Sequence, residues 1–152
     1  MGSTTRRTGR NFRKLIAARA KQVARNTIRT GWSTEMDASS ETVKIAIYNA
    51  LGTDTIPARP TLEPTMNRTI DLIRAENKAI ARTVNRGADP VPLMDRLASR
   101  LEDAVVAVIV ELQDPPNAPS TVAQKGFDDP LIGAGPDGGR LVAEVASRRI
   151  RK

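Results

Sequence analysis

Apolar residues recur at helical spacing over two long stretches in the middle of the chain. In residues 64–85 they lie at alternating steps of four and three, which places them on one stripe of a helix. That stripe consists of Met66, Ile70, Ile73, Asn77, Ile80 and Val84. In residues 89–112 a similar spacing holds for Leu93, Leu97, Leu101, Val105, Val108, Ile109 and Leu112. The pattern therefore predicts two long amphipathic helices.

A short linker separates these two predicted helices. Gly87 ends the first, and Pro90 and Pro92 are typical of a helix start. Because few residues join them, we expect the helices to pack antiparallel. Asn77, the polar member of the first stripe, either fixes the register of the pair or lies half-exposed at its edge. The residues expected to be buried in the shared core are Leu97, Leu101, Val105 and Val108.

The segments before the helix pair carry shorter patterns. Residues 11–26 predict a basic amphipathic helix, whose alanine-rich apolar face favours packing on its own domain over binding to a membrane surface. Residues 27–36 predict a strand with a bend at Gly31. Residues 39–52 fit either a strand or a helix, and a serine cap with Gly52 as the stop favours the helix.

The two ends of the chain are predicted from weaker signals. Residues 1–10, MGSTTRRTGR, have no apolar period and predict a flexible basic arm that either contacts a polyanion or is a solvated tail. Residues 113–126 are proline-rich and predict a short helix capped by Ser120. The glycine-rich stretch GAGPDGGR, residues 133–140, predicts a flexible loop, and the alternation in residues 140–150 predicts a strand. We therefore expect one folded domain over residues 11–152.

The composition argues against an enzyme. The chain has no cysteine and no histidine, which removes thiolate nucleophiles, the commonest metal ligands and the usual general base. No phosphate-binding glycine motif is present, so neither a cofactor nor a metal is expected. The longest apolar run, residues 104–110, is too short to cross a bilayer, and no hydrophobic signal segment opens the chain. We expect a non-enzymatic protein that works away from membranes in a cytosol-like setting.

The formal net charge of +7 permits binding to nucleic acid or another polyanion. Only four aromatic residues are present, so stacking platforms for single-stranded nucleic acid are not expected. The candidate contacts to DNA or a polyanion are Arg6, Arg7, Arg10, Arg13 and Lys14. The cations at the other end either contact DNA, contact acidic surfaces of neighbouring subunits or face water: Arg148, Arg149, Arg151 and Lys152. A basic, non-enzymatic nucleic-acid-binding protein is therefore one hypothesis for the function.

Two further stretches resemble a known family. YNALGTDTIPARPTLEPTM, residues 48–66, is similar to a segment of bacteriophage head-tail connector and tail-completion proteins, in which a short helix, a proline-arginine-proline turn and a long helix follow one another. PPNAPSTVAQKGFDDPLIGAG, residues 115–135, resembles the second signature of that family. Both signatures occur in the order and at the separation found in the family.

The resemblance implies a small α+β subunit, with long helices packed on a small antiparallel β-sheet and extended proline-rich loops. Such subunits assemble as a homo-oligomeric ring, hexameric by resemblance, at the neck or tail end of a long-tailed phage particle. The expected partners are a portal or connector adaptor on one side and a tail tube or tail terminator protein on the other. The genomic DNA in the channel is a further candidate contact. The expected location is the virion, with assembly in the host cytoplasm.

The prolines in residues 51–66 fix backbone angles and reduce the entropy of the unfolded chain, so this loop can hold one shape without a core beneath it. It is interpreted either as an intersubunit contact, with Arg59 projecting between two prolines, or as a rigid connection that aims the following helix. The candidate intersubunit residues in the two signatures are Gly52, Thr53, Ile56, Pro57, Arg59, Pro60, Lys125, Gly126, Pro130 and Leu131.

Overall fold

Helices dominate the chain, and two short strands pair residues 26–31 with residues 146–151. A computed structural model describes residues 3–133 and 138–151, with the backbone alone for residues 3–8 and 10. Within these residues the elements are α1 (Ser3–Ala24), β1 (Asn26–Gly31), α2 (Ser40–Leu51), α3 (Leu62–Asn85), α4 (Val91–Glu111), α5 (Pro119–Lys125), α6 (Arg140–Glu144) and β2 (Ala146–Arg151). A short 3₁₀ turn, Thr34–Met36, follows β1. The fold is α+β, as predicted.

Helices α3 and α4 form the predicted antiparallel pair. Arg68, near the start of α3, forms an ion pair with Glu111 at the end of α4. In the middle of α3, the buried carboxylate of Glu76 accepts hydrogen bonds from Arg96 at 2.7 Å and from Arg100 at 3.1 Å. These pairings between opposite ends and between the helix centres confirm the antiparallel arrangement.

The centre of the core lies along α4. The four residues predicted to be buried are buried, as expected: Leu97, Leu101, Val105 and Val108. Val105 and Ile109 also form an apolar cluster with side chains from the C-terminal third of the chain. The partners in that cluster are Leu131, Leu141 and Val145. Helix α4 therefore packs both against α3 and against the C-terminal segments.

The two strands pair antiparallel, with Asn26 opposite Arg151 at one end and Gly31 opposite Ala146 at the other. One face of this sheet lies against α4. The backbone N–H of Ser147 donates to Glu102 at 2.8 Å, and the guanidinium of Arg149 donates to Asp95 at 2.7 Å. The sheet is thus fixed to α4 by polar contacts as well as by burial.

Helix α2 settles the ambiguity over residues 39–52 in favour of a helix. The Ser39 hydroxyl caps it by accepting a hydrogen bond from the Thr42 N–H at 3.2 Å. Glu144 accepts from the Ser39 N–H at 2.6 Å. That hydrogen bond, with smaller contributions from the Ser39 hydroxyl, Thr42 and Arg140, holds the pKa of Glu144 below its ordinary value of 4.5.

Three predictions about the chain ends and loops are wrong. Helix α1 begins at Ser3 rather than at the predicted Asn11, because extending a formed helix adds one hydrogen bond for each further residue. Helix α5 begins at Pro119 with Ala118 as its cap residue, and Ser120 lies inside the helix. Residues 140–144 form α6 rather than the first half of a strand, because Leu141 and Val145 are both buried at helical spacing.

The predicted apolar stripe of α3 is wrong for its first half. Met66 and Ile70 are exposed, whereas Thr65 and Thr69, one position earlier, are buried. The hydroxyl of each threonine donates a hydrogen bond of 2.7 Å to the carbonyl oxygen four residues earlier. Each buried hydroxyl therefore has a hydrogen-bond partner within the helix. Only Ile80 and Val84, in the second half, are buried as the stripe predicts.

Within the described part of the chain, no helix is both long enough and apolar enough to cross a membrane.

Candidate intersubunit site

The two family-like signatures lie against each other, and Arg59 joins them. Its Nε donates to the carbonyl oxygen of Pro115 at 2.9 Å, and its Nη2 donates to that of Pro116 at 2.8 Å. The Arg59 backbone N–H also donates to the carbonyl of Asn49 in α2. The proline-rich loop after α2 is therefore fixed both to α2 and to the proline-rich loop after α4.

The start of the first loop is a tight turn that needs glycine. Gly52 has a φ of 73°, and a Cβ there would lie 2.9 Å from the backbone nitrogen of Ala58. The Thr53 N–H donates to the Ile56 carbonyl at 2.8 Å, and the Ile56 N–H donates to the Thr53 hydroxyl at 3.1 Å. These bonds hold the loop in one shape without a core beneath it.

The second signature forms a turn after α5. Gly126 ends the helix with a φ of 81°. The Lys125 ammonium donates to the carbonyl of Asp129 at 2.6 Å and lies 4.7 Å from the centroid of the Phe127 ring. Lys125 therefore closes this turn with a hydrogen bond and a cation–π contact.

Two of the candidate intersubunit residues are not on the surface. Arg59 is only 6% exposed, so the prediction that it projects between the prolines is wrong. Its side chain points inwards because the carbonyl oxygens of Pro115 and Pro116 accept its hydrogen bonds. Leu131 belongs to the apolar core beside α4. The candidates that remain exposed are Thr53, Ile56, Pro57, Pro60 and Gly126, and those that are half-buried are Gly52, Lys125 and Pro130.

A larger apolar surface lies next to the first loop, and the sequence patterns did not single it out. We call it the α2–α3 surface, and its members share high exposure and large apolar side chains. They are Ile47, Tyr48 and Leu51 on α2, and Leu62, Met66 and Ile70 on α3. Leu51 is the most exposed of them, at 77%. The available signal was the apolar stripe of α3, which was wrongly assigned to the core.

Two hollows open beside this surface. One, of about 500 Å³, lies between α2, β1 and the start of α3, and Trp32, Ile47 and Leu62 line it. The other, of about 450 Å³, lies between β1, α3 and α4, and it is lined by Met66, Leu97 and Leu101 among others. Thr30 of β1 borders both hollows. Ile47 and Leu62 of the α2–α3 surface thus border the first hollow, and Met66 borders the second.

The candidate DNA contacts are only partly described. The side chains of Arg6, Arg7 and Arg10 lie outside the described residues, as does Lys152. Arg13 and Lys14 are exposed on α1. Residues 134–137 of the predicted glycine-rich loop also lie outside the described residues.

Two of the C-terminal cations form ion pairs within the subunit. Arg148 forms an ion pair with Asp37 at 2.7 Å, and Arg149 forms one with Asp95 at 2.7 Å. The alternative that these two arginines face only water is therefore wrong, whereas contact with a neighbour or with DNA stays a prediction. Arg151, the other described C-terminal cation, keeps all three alternatives.

Comparison with protein-family models, with curated proteins and with solved structures found no match for this chain. Among the described residues, no group of three or more acidic side chains is arranged to hold a metal ion.

Proposed function

We propose that this chain is a structural subunit of a tailed bacteriophage, which forms a ring at the neck or tail-completion position and joins the head connector to the tail. The proposal starts from the two family-like signatures. Arg59 of the first signature binds the carbonyls of Pro115 and Pro116 at the start of the second. This contact gives the paired signatures a shared structural role, which supports the resemblance.

The observation that carries the proposal is the α2–α3 surface. Exposed apolar side chains gathered in one place are typical of a contact surface, because a soluble monomer gains nothing from keeping them in water. Burying such surface contributes about 25 cal/mol for each Å² removed from water. The proposed occupant is a second copy of this chain.

A ring needs two different contact surfaces, since each copy presents one surface to the next copy and the other to the previous one. The chain has a second apolar patch at the far end of α3. There, Phe12 and Leu15 of α1 lie against Gly87 and remain partly exposed. Helix α3 has 24 residues and is therefore about 36 Å long, so the two patches lie well apart. In our proposal, the α2–α3 surface of one copy meets this patch, or a surface beside it, on the next.

The proposed partners above and below the ring follow the resemblance: a portal or connector adaptor and a tail tube or tail terminator protein. In this role the chain has no catalytic function and needs no cofactor. Six copies in the ring, and a place in the virion after assembly in the host cytoplasm, belong to the same proposal.

The test is the oligomeric state of the full chain with the variant Leu62→Glu/Met66→Glu. Both side chains are exposed, so the variant should fold normally, while two carboxylates in an apolar contact would weaken association. We expect native mass spectrometry and light scattering to show wild-type oligomers that the variant does not form. Val110→Glu is the matched control, because Val110 is an exposed apolar residue on α4 outside the α2–α3 surface.

The control should associate as the wild type does. If the wild-type chain remains a monomer at every concentration, or if Val110→Glu and the double variant lose association equally, the proposed role of the α2–α3 surface is wrong. A circular dichroism spectrum of each variant establishes that it is folded.

A further inference from the structure

The net positive charge of the protein comes entirely from its first 34 residues. Residues 1–34 contain 9 Lys and Arg and no Asp or Glu, a net charge of +9. Residues 35–152 contain 15 Lys and Arg and 17 Asp and Glu, a net charge of −2. The positive charge is therefore concentrated on α1 and β1.

The exposed side of α1 carries cations that form no ion pair among the described residues. These cations are Arg13, Lys14, Lys21 and Arg25. In contrast, Arg19 lies on the packed side of the helix, where it bonds to Gln22 and pairs with Asp89. The inward-facing arginine is thus paired, whereas the outward-facing cations are not. Ion pairs among the described residues therefore do not account for the concentration of positive charge on the outer face.

Between these cations, the outer face of α1 carries only small alanine side chains. Ala17, Ala20 and Ala24 are exposed on the same side of the helix as the cations. No aromatic or large aliphatic side chain of the described residues lies among them, so the face lacks both a base-stacking platform and an apolar wedge for a membrane. Cations spread along one side of a helix, with only methyl groups between them, suit a stiff polyanion.

The charged face continues beyond the end of α1. A hollow of about 290 Å³ lies where α1 meets the sheet, and Arg25, Arg149 and Arg151 line it. Asp95 and the side-chain oxygen of Asn26 hold Arg149 in place. Arg25 and Arg151 form no ion pair within the described residues, so both remain available to an anion at this hollow.

We propose that the outer face of α1, with Arg151 at its end, binds the phosphate backbone of duplex DNA without reading the base sequence. The face consists of Arg13, Lys14, Lys21, Arg25 and Arg151. Arg13 and Arg25 are 12 residues apart, which is about 18 Å along a helix. Over that length duplex DNA carries roughly ten phosphate charges, enough to engage the whole row. The proposal does not depend on ring formation, since one copy carries the complete face.

The test compares two triple variants of the full chain that lose the same charge. Lys14→Gln/Lys21→Gln/Arg25→Gln removes cations from the outer face of α1. Lys44→Gln/Lys78→Gln/Arg82→Gln removes three exposed cations from α2 and α3, and these also form no ion pair among the described residues. Binding to a fluorescein-labelled duplex is measured by anisotropy over a series of salt concentrations, with a second duplex of scrambled sequence.

We expect the wild-type affinity to fall steeply with salt and to be equal for both duplexes. In the α1 variant, the slope of log Kobs against log salt should become shallower by about 2.7, which corresponds to three phosphate contacts at about 0.9 each. The control variant should keep the wild-type slope. Equal changes in the two triple variants, or no binding by the wild type, would overturn the proposal.

Two further measurements separate the other polyanions. If the α1 variant loses binding to vesicles of anionic lipid but keeps its affinity for DNA, the face is a membrane contact and the proposal is wrong. If native mass spectrometry shows that the α1 variant no longer oligomerises while its DNA affinity is unchanged, the face contacts a neighbouring copy and the proposal is again wrong. A DNA effect with unchanged oligomers supports it whether or not the ring proposal holds.

Discussion

At the scale of single residues, Arg59 connects two loops that are far apart in the sequence. Its guanidinium replaces the hydrogen bonds that the carbonyls of Pro115 and Pro116 would otherwise make with water. Hydrogen bonds to a charged group are stronger than those between neutral groups, and a buried acceptor without a donor carries a desolvation penalty. Arg59 therefore fixes the position of both loops, although it makes no surface contact of its own.

Arg59→Met should destabilise the protein by about 1–3 kcal/mol, because the change keeps the apolar stem but removes every donor to the two carbonyls. The free energy of unfolding in urea measures this loss. Arg74→Met is the control, since Arg74 pairs with Asp71 on the exposed side of α3 and should cost less than about 0.5 kcal/mol. Equal stability of wild type and Arg59→Met would show that the contact adds nothing to the fold.

At the scale of elements, α3 and α4 contribute to their interface in different ways. Helix α4 buries large aliphatic side chains, whereas α3 buries Thr65 and Thr69 in its first half and Glu76 near its middle. The threonines bond to their own helix, and Glu76 binds the two half-exposed arginines Arg96 and Arg100 of α4. Met66 and Ile70 of α3 are thereby left on the outside.

Leu101→Ala should lower the free energy of unfolding by about 2–5 kcal/mol, because Leu101 is buried on α4 and its truncation leaves a cavity. Leu101 also lines the hollow near β1, but it is only 8% exposed, so most of its side chain is packed and its loss carries this cost. Val110→Ala, at an exposed position of the same helix, should change the stability by less than about 0.5 kcal/mol. A loss of only a few tenths for Leu101→Ala would mean that this face of α4 is not the core.

At the scale of the whole molecule, two surfaces are separate. The apolar α2–α3 surface lies along α2 and the start of α3, and the unpaired cations lie on the outer face of α1. The separation lets one copy use the first surface for a neighbour and the second for a polyanion at the same time. The two proposals are therefore compatible with each other, although DNA binding does not depend on ring formation.

The melting temperature of the wild-type chain should rise with protein concentration, because association of folded copies stabilises the native state by mass action. Differential scanning calorimetry over a wide concentration range measures this effect. Leu62→Glu/Met66→Glu should melt at a temperature that does not depend on concentration. A wild-type melting temperature that is also independent of concentration would contradict association through this surface.

The sequence by itself determined the longer helices and part of the core. The long apolar periods of α3 and α4, the glycine and proline signals between them, and the serine and glycine at the ends of α2 each correspond to a local structure. Local hydrogen bonding and backbone angles control these features, so a short stretch of sequence contains the information. The buried residues of α4 were predictable because the helix carries one broad apolar face.

Tertiary structure alone decided which side of the first half of α3 is covered, where Arg59 points and which structure residues 140–144 adopt. A periodic stripe shows that a helix is amphipathic, but Met66 is exposed because the covered side of α3 lies one position away, at Thr65 and Thr69. Arg59 points inwards because the carbonyls that accept its hydrogen bonds come from a distant loop. The short segment of residues 140–144 fits either period, and only its contact with the α4 core makes it a helix. In each case the deciding partner is remote in sequence, so no local pattern could report it.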